Sequence, residues 1–138
     1  MVQTNISVSA AGVLRGMHFH RRQADYWCLL EGEVFVALVD LRSGSPTKRA
    51  IWTGTFDSGH LRGLYVPPGV AHGFYAVTET SLQYHVDQAF TGEDEFGFAW
   101  DDPEASIPWP KESPMLSARD RSNPSLAEVL GDAPAFSP

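Results

Sequence analysis

The chain has 138 residues, 43% of them apolar and 12% aromatic, with 10 lysines and arginines against 17 aspartates and glutamates, a formal charge of −7. That length bounds it to one domain with one good core, the acidic balance argues against a nucleic-acid surface, and no apolar run approaches the roughly 20 residues of a membrane span. MVQTNISVSA lacks the basic start and apolar middle of a signal peptide, and the lone Cys28 excludes an internal disulfide, so a reduced, cytoplasmic protein with no nucleic-acid or membrane partner is expected.

In chain order, VLRGMHFH, YWCLLE, EVFVALVDL, RAIWTGTF, LYVPP, HGFYAVT and SLQYHVD are rich in β-branched and aromatic residues, with turn signals such as EGE, RSGSP, DSGH and PPG between them. Many short strands at this spacing predict an all-β fold, a sandwich or small barrel, over residues 1–122. Residues 123–138 are expected to form a short helix, SLAEVL, capped by Ser125 with Glu128 three residues on, followed by a poorly ordered tail, GDAPAFSP. Cys28, inside YWCLL, reads as a packed core thiol.

The stretch GMHFHRRQADYW carries chemistry. His18 and His20 share a face because side chains alternate along a strand, and Asp25 follows five residues after His20. A return strand bearing His72 of PPGVAH would complete three imidazoles and a carboxylate, a set suited to one divalent transition metal ion. The spacing of Gly12, His18, His20, Asp25 and Gly32 resembles the first motif of the cupin superfamily, with aspartate where glutamate is usual. Pro67, Gly69 and His72 match the second motif, which closes on Ala76 instead of asparagine.

Longer segments, NISVSAAGVLRGMHFH, GEVFVALVDLRSGSPT, LYVPPGVAHGF, FAWDDPEASIPWP and MLSARD, resemble one branch of the cupins, the dTDP-4-dehydrorhamnose 3,5-epimerase family. The resemblance spans residues 3–120 and implies a cupin-type jelly roll or β-sandwich. It also implies an isomerase acting without a cofactor on a nucleotide-linked, dTDP-type, 4-keto-6-deoxyhexose. Protons on ring carbons 3 and 5 of such a sugar are alpha to the carbonyl, so a base can remove them through an enolate and an acid on the other ring face can complete inversion. By resemblance the base is His18, oriented by Asp120, and the acid is Tyr84, whose phenol has an ordinary pKa near ~10. Arg15, His72, Gln3, Asn5 and Ser7 match substrate-contacting positions, and Glu95 and Arg119 match positions near the nucleotide. His60 and His85 match none.

The chain also departs from the family pattern. It starts where the family's amino-terminal arm, which reaches a neighbouring subunit's nucleotide site, ends. Asp25 replaces a lysine that resembles an enolate-stabilising cation, and Val36 replaces an aspartate, which predicts a drier inner site. Two other readings follow: a metal-dependent cupin isomerase or oxygenase with His18, His20, Asp25 and His72 as ligands, and a non-catalytic sugar-binding cupin. His18 cannot serve as both free base and ligand, because coordination occupies the lone pair that would take the proton. A homodimer is expected because sandwiches of this size leave sheet faces and edges to cover.

Overall fold

In the computed structural model, which describes residues 1–60 and 63–138, the predicted strands form a β-sandwich. The elements are β1 (Gln3–Ser9), β2 (Leu14–Phe19), β3 (Asp25–Glu31), β4 (Glu33–Asp40), β5 (Ile51–Asp57), β6 (Gly63–Val66), β7 (Val70–Ala76), β8 (Thr80–Val86) and β9 (Phe96–Gly97). One antiparallel sheet has the order β1-β8-β3-β6 and the other β5-β4-β7-β2-β9. Between them Trp27, Leu29, Val34, Val36, Phe74 and Leu82 pack as one core cluster. Alternation explains the set: on β3 Asp25, Trp27 and Leu29 turn inward and Tyr26, Cys28 and Leu30 outward.

That alternation corrects the expectation for Cys28, which is half-buried on the outward face between the inward Trp27 and Leu29. Val36, only 1% exposed, belongs to the inter-sheet core beside Trp27 and Phe74.

The five-stranded sheet is covered on both faces at its central strand β7, every residue of which is buried. Its second face, with Met17, Phe19, Ala37, Val39 and Ala71, packs against Phe98, Ala105, Leu126 and Val129 from the carboxy-terminal third. The expected helix is present as α2 (Leu126–Val129): the Ser125 side chain accepts from the Glu128 N–H, and the Glu128 carboxylate accepts in return from the Ser125 N–H. Sequence reading missed a second one-turn helix, α1 (Ala118–Arg121), capped by Ser117. The final residues are also not loose. Phe136 donates its N–H to the Ser43 carbonyl at 2.8 Å, and the Arg42 guanidinium lies over the Phe136 ring.

The feature that builds the site is a bulge in β2. Arg15 lies opposite Phe74 and His18 opposite His72, so three steps on β2 match two on β7. Regular alternation would set Arg15 and His18 on opposite faces; the extra residue brings both to the inter-sheet side. Gly16 makes this possible. Its φ is +138°, and an added Cβ would sit 2.7 Å from the Gly73 Cα. Gly16→Ala is therefore expected to lose about 1–3 kcal/mol to backbone strain alone, read as a lower thermal midpoint. An unchanged midpoint would show that β2 and β7 need not approach so closely.

Candidate active site

A cavity of about 450 Å³ opens between the sheets. The four-stranded sheet contributes Gln3, Asn5 and Ser7 from β1, Asp25 and Trp27 from β3, and Tyr84 from β8; the five-stranded sheet contributes Arg15, His18, His72 and Phe74. His20, one residue past β2, and Glu95 and Arg119 complete the wall. Every residue singled out from the sequence as catalytic or substrate-binding lines this cavity except Asp120, which is 3% exposed and lies behind His18.

His18 Nε2 donates to Asp120 Oδ1 at 2.5 Å across 102 residues of chain. The α1 turn and its Ser117 cap hold the carboxylate, and its other oxygen accepts from the Gly16 N–H at 3.3 Å. With Nε2 donating, Nδ1 is the ring nitrogen free to take a proton. Burial acts to raise the Asp120 carboxyl, but the His18 bond and the Gly16 N–H outweigh it and hold the group below its usual value of 3.8. A carboxyl depressed in the folded state contributes stability that is complete above the unfolded pKa and disappears as pH falls through the folded one. Asp120→Asn is therefore expected to be less stable than the parent at pH 7, with the gap between their melting temperatures narrowing below about pH 4. A gap constant from pH 7 to pH 3 would contradict the assignment.

The Tyr84 phenol is pushed above 10.0, first by burial and then by the nearby Asp25 and Glu95 carboxylates, while Arg15 opposes them. Arg15 is anchored through Nε to Ser9 Oγ at 3.0 Å. Gln3 donates to Asn5 Oδ1 at 2.9 Å and accepts from the Phe90 N–H, which fixes the polar edge of β1. Arg119 and Glu95 face each other at 3.3 Å where both are partly exposed. His85 turns outward to Thr4 and His60 bonds Asp57, so neither enters the site.

Asp25 is an ordered strand residue. It starts β3, is 4% exposed, and accepts from Gln23 Nε2 at 2.7 Å and Trp27 Nε1 at 3.3 Å. His72 is also buried; desolvation pushes its imidazole down to about 4, against the pull of Asp25, leaving the ring neutral at pH 7. The four-ligand set does not assemble. Among the described residues His20, Asp25 and His72 bring one ligand atom each within 4.8 Å of one another, whereas His18 is held on Asp120.

Sequence reading missed several contributors, among them Trp27, Phe74 and Asp94. Trp27 and Phe74 wall the cavity and were legible from period-two spacing, two residues from Asp25 and His72. Asp94 gave no local signal: its carboxylate caps the backbone N–H groups of Arg21, Arg22 and Gln23, and its carbonyl accepts from His20 Nδ1.

The family profile described as dTDP-4-dehydrorhamnose 3,5-epimerase matches residues 1–128. A dTDP-4-dehydrorhamnose 3-epimerase of Streptomyces niveus is 41% identical over 134 residues, 94% of this chain and 64% of the relative. The chain thus spans less than two thirds of that relative's length. Among solved structures, a 4-keto-6-deoxy sugar epimerase from the novobiocin biosynthetic gene cluster of Streptomyces spheroides superposes with a TM-score of 0.92 at 38% identity, over 98% of this chain and 71% of that one. The dTDP-6-deoxy-D-glucose-3,5-epimerase of Legionella pneumophila, solved with dTDP-4-keto-L-rhamnose, gives 0.91 at 33% identity, over 99% of this chain and 76% of that one.

Proposed function

The chain belongs to the dTDP-4-dehydrorhamnose 3,5-epimerase family, and from that premise we propose that it inverts carbon 3, carbon 5 or both of a dTDP-linked 4-keto-6-deoxyhexose. One observation carries the reading: His18, backed by Asp120, stands on one sheet wall and the Tyr84 phenol on the facing one, with a sugar-sized cavity between them. His18 Nδ1 removes the proton alpha to the carbonyl, and Asp120 holds the imidazole tautomer and supports its charged form. Tyr84 delivers a proton to the opposite ring face; its raised pKa keeps it protonated until that step. Arg15 offers a cation to the enolate oxygen. Neither the base nor the acid requires a cofactor. Gln3, Asn5 and Ser7 orient polar groups of the sugar nucleotide, and Arg119, now paired with Glu95, is available to a phosphate.

Its setting follows the same reading. A cytoplasmic location fits the unpaired Cys28, and no helix among the described residues is long and apolar enough to cross a membrane. A homodimer is supported by the outward face of the four-stranded sheet, which exposes Ile6, Val8, Tyr26, Leu30 and Tyr65.

The reading is tested in deuterium oxide with dTDP-4-keto-6-deoxyglucose. Solvent deuterium is expected at carbon 3, carbon 5 or both of an epimerised product, read by mass and proton spectra. No exchange across a panel of nucleotide-linked 4-keto-6-deoxyhexoses would end it and favour a binding module.

A further inference from the structure

The trio His20, Asp25 and His72 plays no part in the proton transfers above, yet its hydrogen bonding is arranged with care. His20 Nδ1 bonds the Asp94 main-chain carbonyl. A carbonyl oxygen only accepts, so Nδ1 carries the proton and Nε2 bears a lone pair. Asp94 is itself immobilised by three backbone N–H groups at 2.8, 2.9 and 3.2 Å. His72 repeats the pattern: Nδ1 donates to the Val70 carbonyl at 3.2 Å, and Nε2 faces Asp25 Oδ2 at 3.8 Å. Two imidazole lone pairs and a buried carboxylate therefore converge with no proton fixed among them. Asp25 accepts hydrogen bonds from Gln23 and Trp27, but among the described residues it has no ion-pair partner except His72, and a buried anion that also faces two imidazole lone pairs is further stabilised where a cation is shared between them.

The geometry points to a divalent transition-metal site made by His20 Nε2, an Asp25 carboxylate oxygen and His72 Nε2, within the same cavity as His18 and Tyr84. Two imidazoles and one carboxylate suit Fe, Mn, Co, Ni or Zn, and three protein ligands leave positions open to the cavity. Ligand atoms about 2.1 Å from a tetrahedral ion lie about 3.4 Å apart, so the ligand atoms, now within 4.8 Å of one another, must draw in by about 1 Å through side-chain rotation. The main-chain carbonyls behind both imidazoles are the outer partners that orient ligating histidines. Because His18 stays on Asp120, proton abstraction and metal binding no longer compete for one ring. A metal here would polarise a sugar carbonyl as a Lewis acid; that role alone rests on the epimerase reading, whereas the site does not.

The test needs no sugar. Chelator-stripped protein is titrated with Co²⁺, followed by its visible absorption, and with Zn²⁺ by calorimetry. One equivalent is expected. His20→Gln and Asp25→Asn are each expected to weaken binding by about 100-fold or more, while His18→Ala binds as the parent does. Metal-free melting curves establish that each variant is folded, and His20→Gln, at the partly exposed cavity wall, is the variant least exposed to misfolding. Absence of binding at millimolar metal, binding indifferent to His20→Gln, or binding lost in His18→Ala would each overturn the site. Metal bound without deuterium exchange would end the epimerase reading and leave the site intact.

Discussion

Replacing His18 with alanine is expected to lower the rate of sugar epimerisation by about 10²–10⁴-fold, the usual worth of a positioned general base. The effect should fall on kcat with KM for the sugar nucleotide little changed, because the ring touches the reacting proton and the nucleotide contacts lie elsewhere in the cavity. Asp120 loses its bond to His18 but keeps the Gly16 N–H, so the variant is expected to fold, with a lower melting temperature. Deuterium entry at carbons 3 and 5 reports the base directly and should fall with the rate. Exchange at the parent rate in His18→Ala would place the base elsewhere.

Tyr84→Phe should reduce inversion by a similar factor, about 10²–10⁴-fold, with a different isotopic signature. Only the phenolic oxygen is removed; the ring, packed against the inter-sheet cluster, stays. His18 can then still abstract a proton and return one from its own side, so recovered sugar should gain deuterium without changing configuration. Both burial and the carboxylates of Asp25 and Glu95 raise the parent's phenol, so activity should decline on the alkaline side only above pH 10. Parent-like inversion in Tyr84→Phe would show that another group supplies the second proton.

The two predictions depend on residues whose association differs in kind. Gln3, Asn5 and Ser7 lie on one face of β1 because a strand repeats every two residues, and the same rule puts Trp27 beside Asp25. The Ser125–Glu128 capping box forms as its spacing predicts because both hydrogen bonds are local. Asp120 was assigned to His18 only by family resemblance, since no local rule links residues 102 positions apart.

Local periodicity misleads where the backbone breaks it. Counting along β2 puts Arg15 and His18 on opposite faces; the bulge at Gly16, permitted by its positive φ and by close approach to Gly73, reverses that. Counting also groups His18 with His20, Asp25 and His72, but Asp120 from α1 and the Asp94 carbonyl sort the two histidines into different roles. Strand identity, the helix cap and the pocket-facing histidines were thus set by the sequence alone, through rules reaching a few residues. Which histidine is a base and which is free to ligate was decided only in the folded protein, because a tautomer follows from the hydrogen-bond partner that distant chain segments bring to the ring.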